Sequence, residues 1–300
     1  MNRKTNAHLA VLGANLFFGI NFTTVKYIVP QRTEPLALNV MRVGGSVILF
    51  WLLYILKPTR AGIDKKDIPR FFICALSGVA LNQVLFIKGL SLSTPIHASL
   101  LILITPIVIT FISAWLLKEK ITALKITGLL LGIAGAVILI TMKDSSQHAT
   151  NIVSGDLLMA LNAICYAFYL VLVRPLMHKY SPVHVIRWVF TIGAFIIIPY
   201  GWNSFVATDF AAFNTSHRLT LAFIVAGGTF FAYLFNIYGV NVIGPSATGA
   251  YIYTQPFFAA TIAIIFLGEQ YDWLKFLSAV LIFSGVYLAN FKRKKLMLDG

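Results

Sequence analysis

Arg42 places a guanidinium about two helical turns inside an apolar stretch. His97, Lys26, Lys88 and Arg187 are further ionisable groups in such surroundings. A guanidinium in hydrocarbon can receive a carboxylate on its two-pronged donor edge, pair with helix-end carbonyls, or brace a gate. His97 is the group among these that could titrate near neutrality. Lys26 and Lys88 stand near stretch ends, where a long side chain reaches the headgroups, and they read as anchors. A second set is uncharged: Asn15, Gln83, Thr105, Asn162, Tyr233, Asn236, Tyr251 and Gln255. In apolar surroundings such groups either bond neighbouring helices or line a wet cavity. Together they suit binding a small polar solute, a zwitterion above all, rather than converting it.

Catalysis would need more. None of the ten acidic residues falls at mid-stretch, the histidines are scattered through different segments, and no DDxxD-like or HxxxH run occurs. Cys74 and Cys165 lie in different stretches and read as small buried apolar residues. The chain is therefore expected not to be an enzyme and to use no metal or cofactor. Without a mid-stretch carboxylate, any solute movement is expected to be uncoupled exchange or facilitated diffusion rather than proton- or sodium-driven.

The elements that position these groups follow from composition. The chain is 58% hydrophobic and 11% charged, with a mean hydropathy of +0.82. So few charges cannot cover a water-soluble surface. A hydrocarbon core of about 30 Å takes about 20 apolar residues in helix. Ten segments approach that length: 8–28, 36–56, 69–89, 94–117, 123–141, 155–177, 183–200, 218–239, 245–267 and 273–291. The expectation is an all-α integral membrane protein with ten transmembrane helices and a lipid bilayer as its partner. With the N-terminus inside, Lys and Arg gather in the inner loops, so both termini are expected to be cytoplasmic, in a bacterial cell membrane. The net charge of +14 then reflects topology and anionic headgroups, not nucleic acid. The first stretch has no small-residue cleavage site after it and reads as a retained helix.

The stretches repeat. Eight pairs match 150 residues apart, among them Gly78 with Gly228, Pro95 with Pro245, Pro106 with Pro256, Glu119 with Glu269 and Gly135 with Gly285. At a shift of 147, Asn15 meets Asn162 and Pro35 meets Pro182. Five spans per half is an odd number, so the second half must enter the membrane from the other side. The reading is two inverted five-helix repeats, residues 1–143 and 153–295. Inverted repeats give inward-open and outward-open states similar energy.

On these residues the chain resembles the drug/metabolite transporter superfamily, and within it the ten-helix EamA-type exporters. The resemblance rests on Pro95-x10-Pro106-x12-Glu119, its second copy Pro245-x10-Pro256-x12-Glu269, the Gly-rich fifth span and Arg42. It implies a central cavity enclosed by the first four helices of each half, with the fifth packed outside. It also implies secondary transport of a small metabolite by alternating access, with export of amino acids or related compounds the leading expectation. Phosphorylated or nucleotide-linked sugars are the alternative, and would need several cations around the cavity. An integral-membrane enzyme or a non-transporting receptor are readings of another class.

Pro106 and Pro256 fall about midway along the fourth and ninth spans. Each would strand a carbonyl four residues earlier and act as a hinge beside Thr105 and Gln255. Glu119 and Glu269 are expected to be screened by Lys118, Lys120 and Lys275. Gly128, Gly132 and Gly135 form a seam for close packing inside the bundle, with a homodimer contact as the alternative.

Overall fold

Helix starts in this protein follow local capping chemistry. The computed structural model describes residues 2–29, 31–58, 62–93, 98, 101–141, 151–258, 261 and 273–291. Asn2 accepts from the Lys4 amide and caps α1 (Arg3–Ile28). Pro35 opens α2 (Pro35–Leu56), where its missing N–H costs nothing. α3 (Ile68–Ala75) runs through a π-helical turn, Leu76–Ala80, into α4 (Leu81–Leu92). α5 (Thr105–Leu117) stops where Lys118 turns left-handed, at φ 54°. α6 (Ala123–Thr141) follows. Asn151 caps α7 (Ile152–Leu172) and Ser181 caps α8 (Pro182–Val206). A capping box of Asn214 and His217 starts α9 (Thr215–Val225), which passes through a second π-helical turn, Ala226–Phe231, into α10 (Ala232–Ile243). Gly244, at φ 90°, swings the chain into α11 (Pro245–Ala250). A 3₁₀ turn, Tyr251–Tyr253, follows, and α12 (Trp273–Asn290) closes the described chain.

No strand occurs among the described residues. Six helical runs there are long and apolar enough to cross a membrane, and they coincide with the expected first, second, third, sixth, seventh and eighth spans. The expected fourth, fifth and tenth appear as shorter apolar helices. The expected ninth is broken by the 3₁₀ turn and passes out of the described residues after 258.

Helices pair mainly between the two parts of the chain. α1 packs on α10, α4 on α7, α2 on α8, α5 on α11 and α6 on α12. The last contact explains the glycine seam. A Cβ on Gly285 would stand 2.6 Å from the Gly128 carbonyl oxygen, and one on Gly128 would meet Gly285 at the same distance. Gly128 and Gly285 thus join α6 to α12 inside the chain. Gly132 faces the ring of Tyr253. Arg187, fully buried on α8, places its guanidinium 3.9 Å from the Tyr54 ring centre and 4.8 Å from that of Trp51. It ties α8 to α2 through cation–π contact. Cys74 and Cys165 are both free thiols. Trp115, Phe195, Tyr200 and Tyr287 face outward, as lipid-facing side chains do.

A central polar cavity as candidate functional site

The two π-helical turns shape the middle of the molecule. A π turn accommodates one extra residue, so its side chains leave the ordinary helical register. Gly78 sits in the first, where a Cβ would strike the Tyr169 ring; Gly228 sits in the second, where it would strike Asn21. Both turns therefore admit a side chain from the opposite part of the chain. Next to Gly228, the Thr229 hydroxyl donates to the Ile224 carbonyl at 2.7 Å and accepts from Arg42 Nε at 3.1 Å. Arg42 is 3% exposed, and its Nη1 has no hydrogen-bond partner among the described residues.

Beside Arg42 opens a cavity of about 60 Å³. That admits a few water molecules and must widen to take a metabolite. Its polar lining is Arg42, Gln83, Asn162, Tyr233 and Gln255, with Asn21 and Asn82. Phe18, Phe22, Phe86, Ile102 and Tyr166 complete the wall. α1, α2, α4, α7 and α10 contribute, together with Ile102 and Gln255; α6 and α12 do not. Much of the lining is mutually braced. Asn162 Nδ2 donates to the Asn82 carbonyl at 2.7 Å. The Tyr233 hydroxyl lies 3.1 Å from both the Gly78 carbonyl and Asn82 Oδ1. Gln255 Nε2 donates to Asn15 Oδ1 at 2.8 Å, and Asn15 Nδ2 to the Val11 carbonyl. Such pairs fix Asn162 and Gln255 but leave Asn21 Oδ1, both ends of the Gln83 amide and Gln255 Oε1 unused among the described residues.

The structure thus gathers half of the expected residues and places four others elsewhere. Arg42, Gln83, Asn162, Tyr233 and Gln255 share the cavity. Asn15 stands behind Gln255, and Asn236 donates to the Tyr166 hydroxyl at 2.8 Å, so both support the wall without lining it. Thr105 is buried away from the cavity. Tyr251 turns elsewhere: its hydroxyl meets His8 Nδ1 at 2.8 Å, because the 3₁₀ turn rotates it off the face that carries Gln255. His97 and Pro95 lie outside the described residues, as do Glu269 and the side chain of Lys275. Asn21, Asn82 and Tyr166 were not anticipated. Gly228, which leaves room for Asn21, is the one sequence signal that pointed near them.

The prolines also sit differently from a kink in a continuous helix. Residues 103 and 104 form a turn, and Pro106 lies in the first turn of α5. Pro256 likewise lies in the first turn of helix 254–258, just after the 3₁₀ turn. A first turn needs no proline N–H, so the chain breaks before the ring instead of bending around it.

A second constellation lies at one end of the bundle. Glu119 accepts from Arg174 Nη1 at 2.7 Å, from Lys125 Nζ at 3.3 Å and from the Ser246 hydroxyl at 2.6 Å. Its partners are thus Lys125 and Arg174, not the neighbouring Lys118 and Lys120, because the left-handed Lys118 turns the chain back toward α7 and α11. Between α7 and α8, Asp64 and Asp67 hold the Lys179 ammonium above the usual lysine range, Asp64 through the leading hydrogen bond.

Comparison with known proteins accounts for this architecture. The EamA-like transporter family matches residues 5–141 and again 153–291. The chain belongs to the EamA-like transporter family. It is accordingly a multi-pass membrane transporter of the drug/metabolite transporter superfamily and not an enzyme, and it sits in a lipid bilayer. An "Uncharacterized transporter" of Archaeoglobus fulgidus is 25% identical over 299 residues, covering 98% of this chain and 99% of its own. A "Probable terminal-alkyne amino-acid exporter" of Streptantibioticus cattleyicolor is 25% identical over 228 residues, covering 75% and 74%. A solved crystal structure superposes with a TM-score of 0.77 over 95% of this chain and 96% of its own, at 17% identity, and shares the fold. In this EamA-family transporter the central cavity is lined from both matched parts of the chain.

Proposed function

We propose that this transporter moves a small metabolite, an amino acid or related compound, out of the cell by alternating access. One observation carries the reading: the Arg42 cavity is enclosed by helices from both parts of the chain, so relative movement of those parts would open it to one side or the other. The proposed frame is ten crossings in two inverted five-helix repeats, residues 1–143 and 153–295, with both termini cytoplasmic. Reciprocal pairing supports it. α1 with α10 and α4 with α7 are the first-with-eighth and third-with-sixth contacts that a two-fold relation would exchange, and both π turns fall at matched positions. Pro106 and Pro256, each just after a helix break, are the proposed hinges. The relative from Streptantibioticus, named as an amino-acid exporter, supports the substrate class. A phosphorylated sugar is disfavoured, since Arg42 is the one cation among the described lining residues.

Counterflow in proteoliposomes tests the reading. Vesicles loaded in turn with pooled amino acids, sugar phosphates or nucleosides, without an ion gradient, should take up label when the pool contains amino acids. Uptake with sugar phosphates alone would overturn the substrate class, and silence from every pool in vesicles holding folded protein would overturn transport by exchange.

A further inference from the structure

We infer that the central cavity recognises a carboxylate joined to an apolar or aromatic body, and that an ammonium group on the substrate is not read. The inference rests on the transport reading above and narrows its substrate class.

Charge is the first ground. Arg42 is buried and, among the described residues, is bonded only to the neutral Thr229 hydroxyl, with Nη1 unpartnered. Removing a guanidinium from water is costly unless an anion replaces the water. None of the described lining residues is acidic. The described carboxylates are engaged elsewhere: Glu34 with Ser204, Asp64 and Asp67 with Lys179, Glu119 with Arg174, Asp156 with Ser93, and Asp209 with the Ala211 amide. A substrate carboxylate would be the missing counter-charge, taking the free edge of the Arg42 fork.

Shape is the second ground. Five aromatic rings wall the cavity, and they interlock: Phe18 meets Tyr233 edge-on at 5.9 Å between ring centres, and Phe22 meets Phe86 at 5.3 Å. Such a wall suits an apolar body.

The ammonium is the third ground, by what it lacks. A cation here would share a small low-dielectric space with Arg42, and like charges so placed repel. Its acceptors would be Asn21 Oδ1, Gln83 Oε1 and Gln255 Oε1, neutral carbonyls without a partner among the described residues. Neutral carbonyls carry no charge to offset the repulsion from Arg42 and the desolvation of a second cation, so the ammonium adds no affinity. A monoanion, by contrast, leaves the loaded site neutral.

Binding to the purified transporter in detergent at neutral pH, read as ligand-induced thermal stabilisation, tests this with a matched set. 3-Phenylpropanoate should bind at least as tightly as phenylalanine, and about tenfold or more tighter than 3-phenylpropanamide or phenethylamine. Arg42→Gln should abolish the preference for acid over amide, and Arg42→Lys should restore part of it. The wild-type series needs no variant to fold. Phenethylamine or phenylalanine binding while 3-phenylpropanoate does not would overturn the inference. Amide binding equal to acid, or no binding by any of the four, would overturn it too. None of these results touches the transport reading, which stands or falls on counterflow with pooled solutes.

Discussion

Asn15 and Gln255 illustrate how a polar residue earns its place in this membrane core. Separated by 240 positions, they form a buried hydrogen bond of 2.8 Å, and Asn15 spends its own donor on the Val11 carbonyl. Truncating either amide strands the other without water, at about 1–3 kcal/mol, whereas removing both can be nearly neutral. Asn15→Leu and Gln255→Leu should each lower the melting temperature of the purified protein, and the double variant should lose clearly less than the sum. Strictly additive losses would mean that the two amides do not share a bond. Arg42 differs in kind, for its fork keeps an unused donor where Asn15 has none. The sequence could place all three at membrane depth, but a polar residue there can be satisfied in two ways, and only the partner decides which.

At the scale of elements, α6 and α12 touch backbone to backbone. Gly285→Val would put a Cβ 2.6 Å from the Gly128 carbonyl oxygen, closer than any folded contact allows, so the helices must part. Overpacking of this kind costs about 1–3 kcal/mol. The variant should melt earlier and give less folded protein, and an unchanged melt would remove α6–α12 contact as a source of stability. The glycine spacing was legible as a seam; its partner was not, because small residues pack equally well against another helix of the same chain or of a second copy. Glu119 joins the end of α5 to Arg174 and Ser246. These groups are partly exposed, so Glu119→Gln should change stability by less than about 1 kcal/mol. Amide deuterium exchange across residues 244–250 should nonetheless rise several-fold, since the turn into α11 loses its tether. No change in exchange would make the contact incidental.

At the scale of the molecule, movement must widen a cavity with room for only a few waters. The break before Pro106 and the 3₁₀ turn at Tyr251–Tyr253 leave two points where short helices can swing. Pro106→Ala with Pro256→Ala would let each helix continue through its break. Counterflow should then slow about tenfold while folded yield stays the same, and an unaltered rate would remove the hinges. Orientation can be checked separately. A cysteine at Asn2 and another at Phe291 should react with an impermeant maleimide only after cells are opened. Reaction of either in intact cells would reverse the proposed topology.

What the sequence determined by itself is what adds up locally. Transfer of each residue into hydrocarbon is nearly independent of distant residues, so composition alone established a helical membrane protein and located its long spans. The same local arithmetic set Arg42, Gln83, Asn162, Tyr233 and Gln255 at membrane depth and kept acids away from mid-span. Tertiary structure alone decided company. It brought those five together, turned Tyr251 to His8, moved Asn15 and Asn236 behind the wall, and admitted Asn21, Asn82 and Tyr166. Which way a polar side chain faces depends on helix rotation, and that is set by contacts between segments more than a hundred residues apart, such as Asn15 with Gln255 and Arg42 with Thr229. Periodicity along one helix carries no record of them.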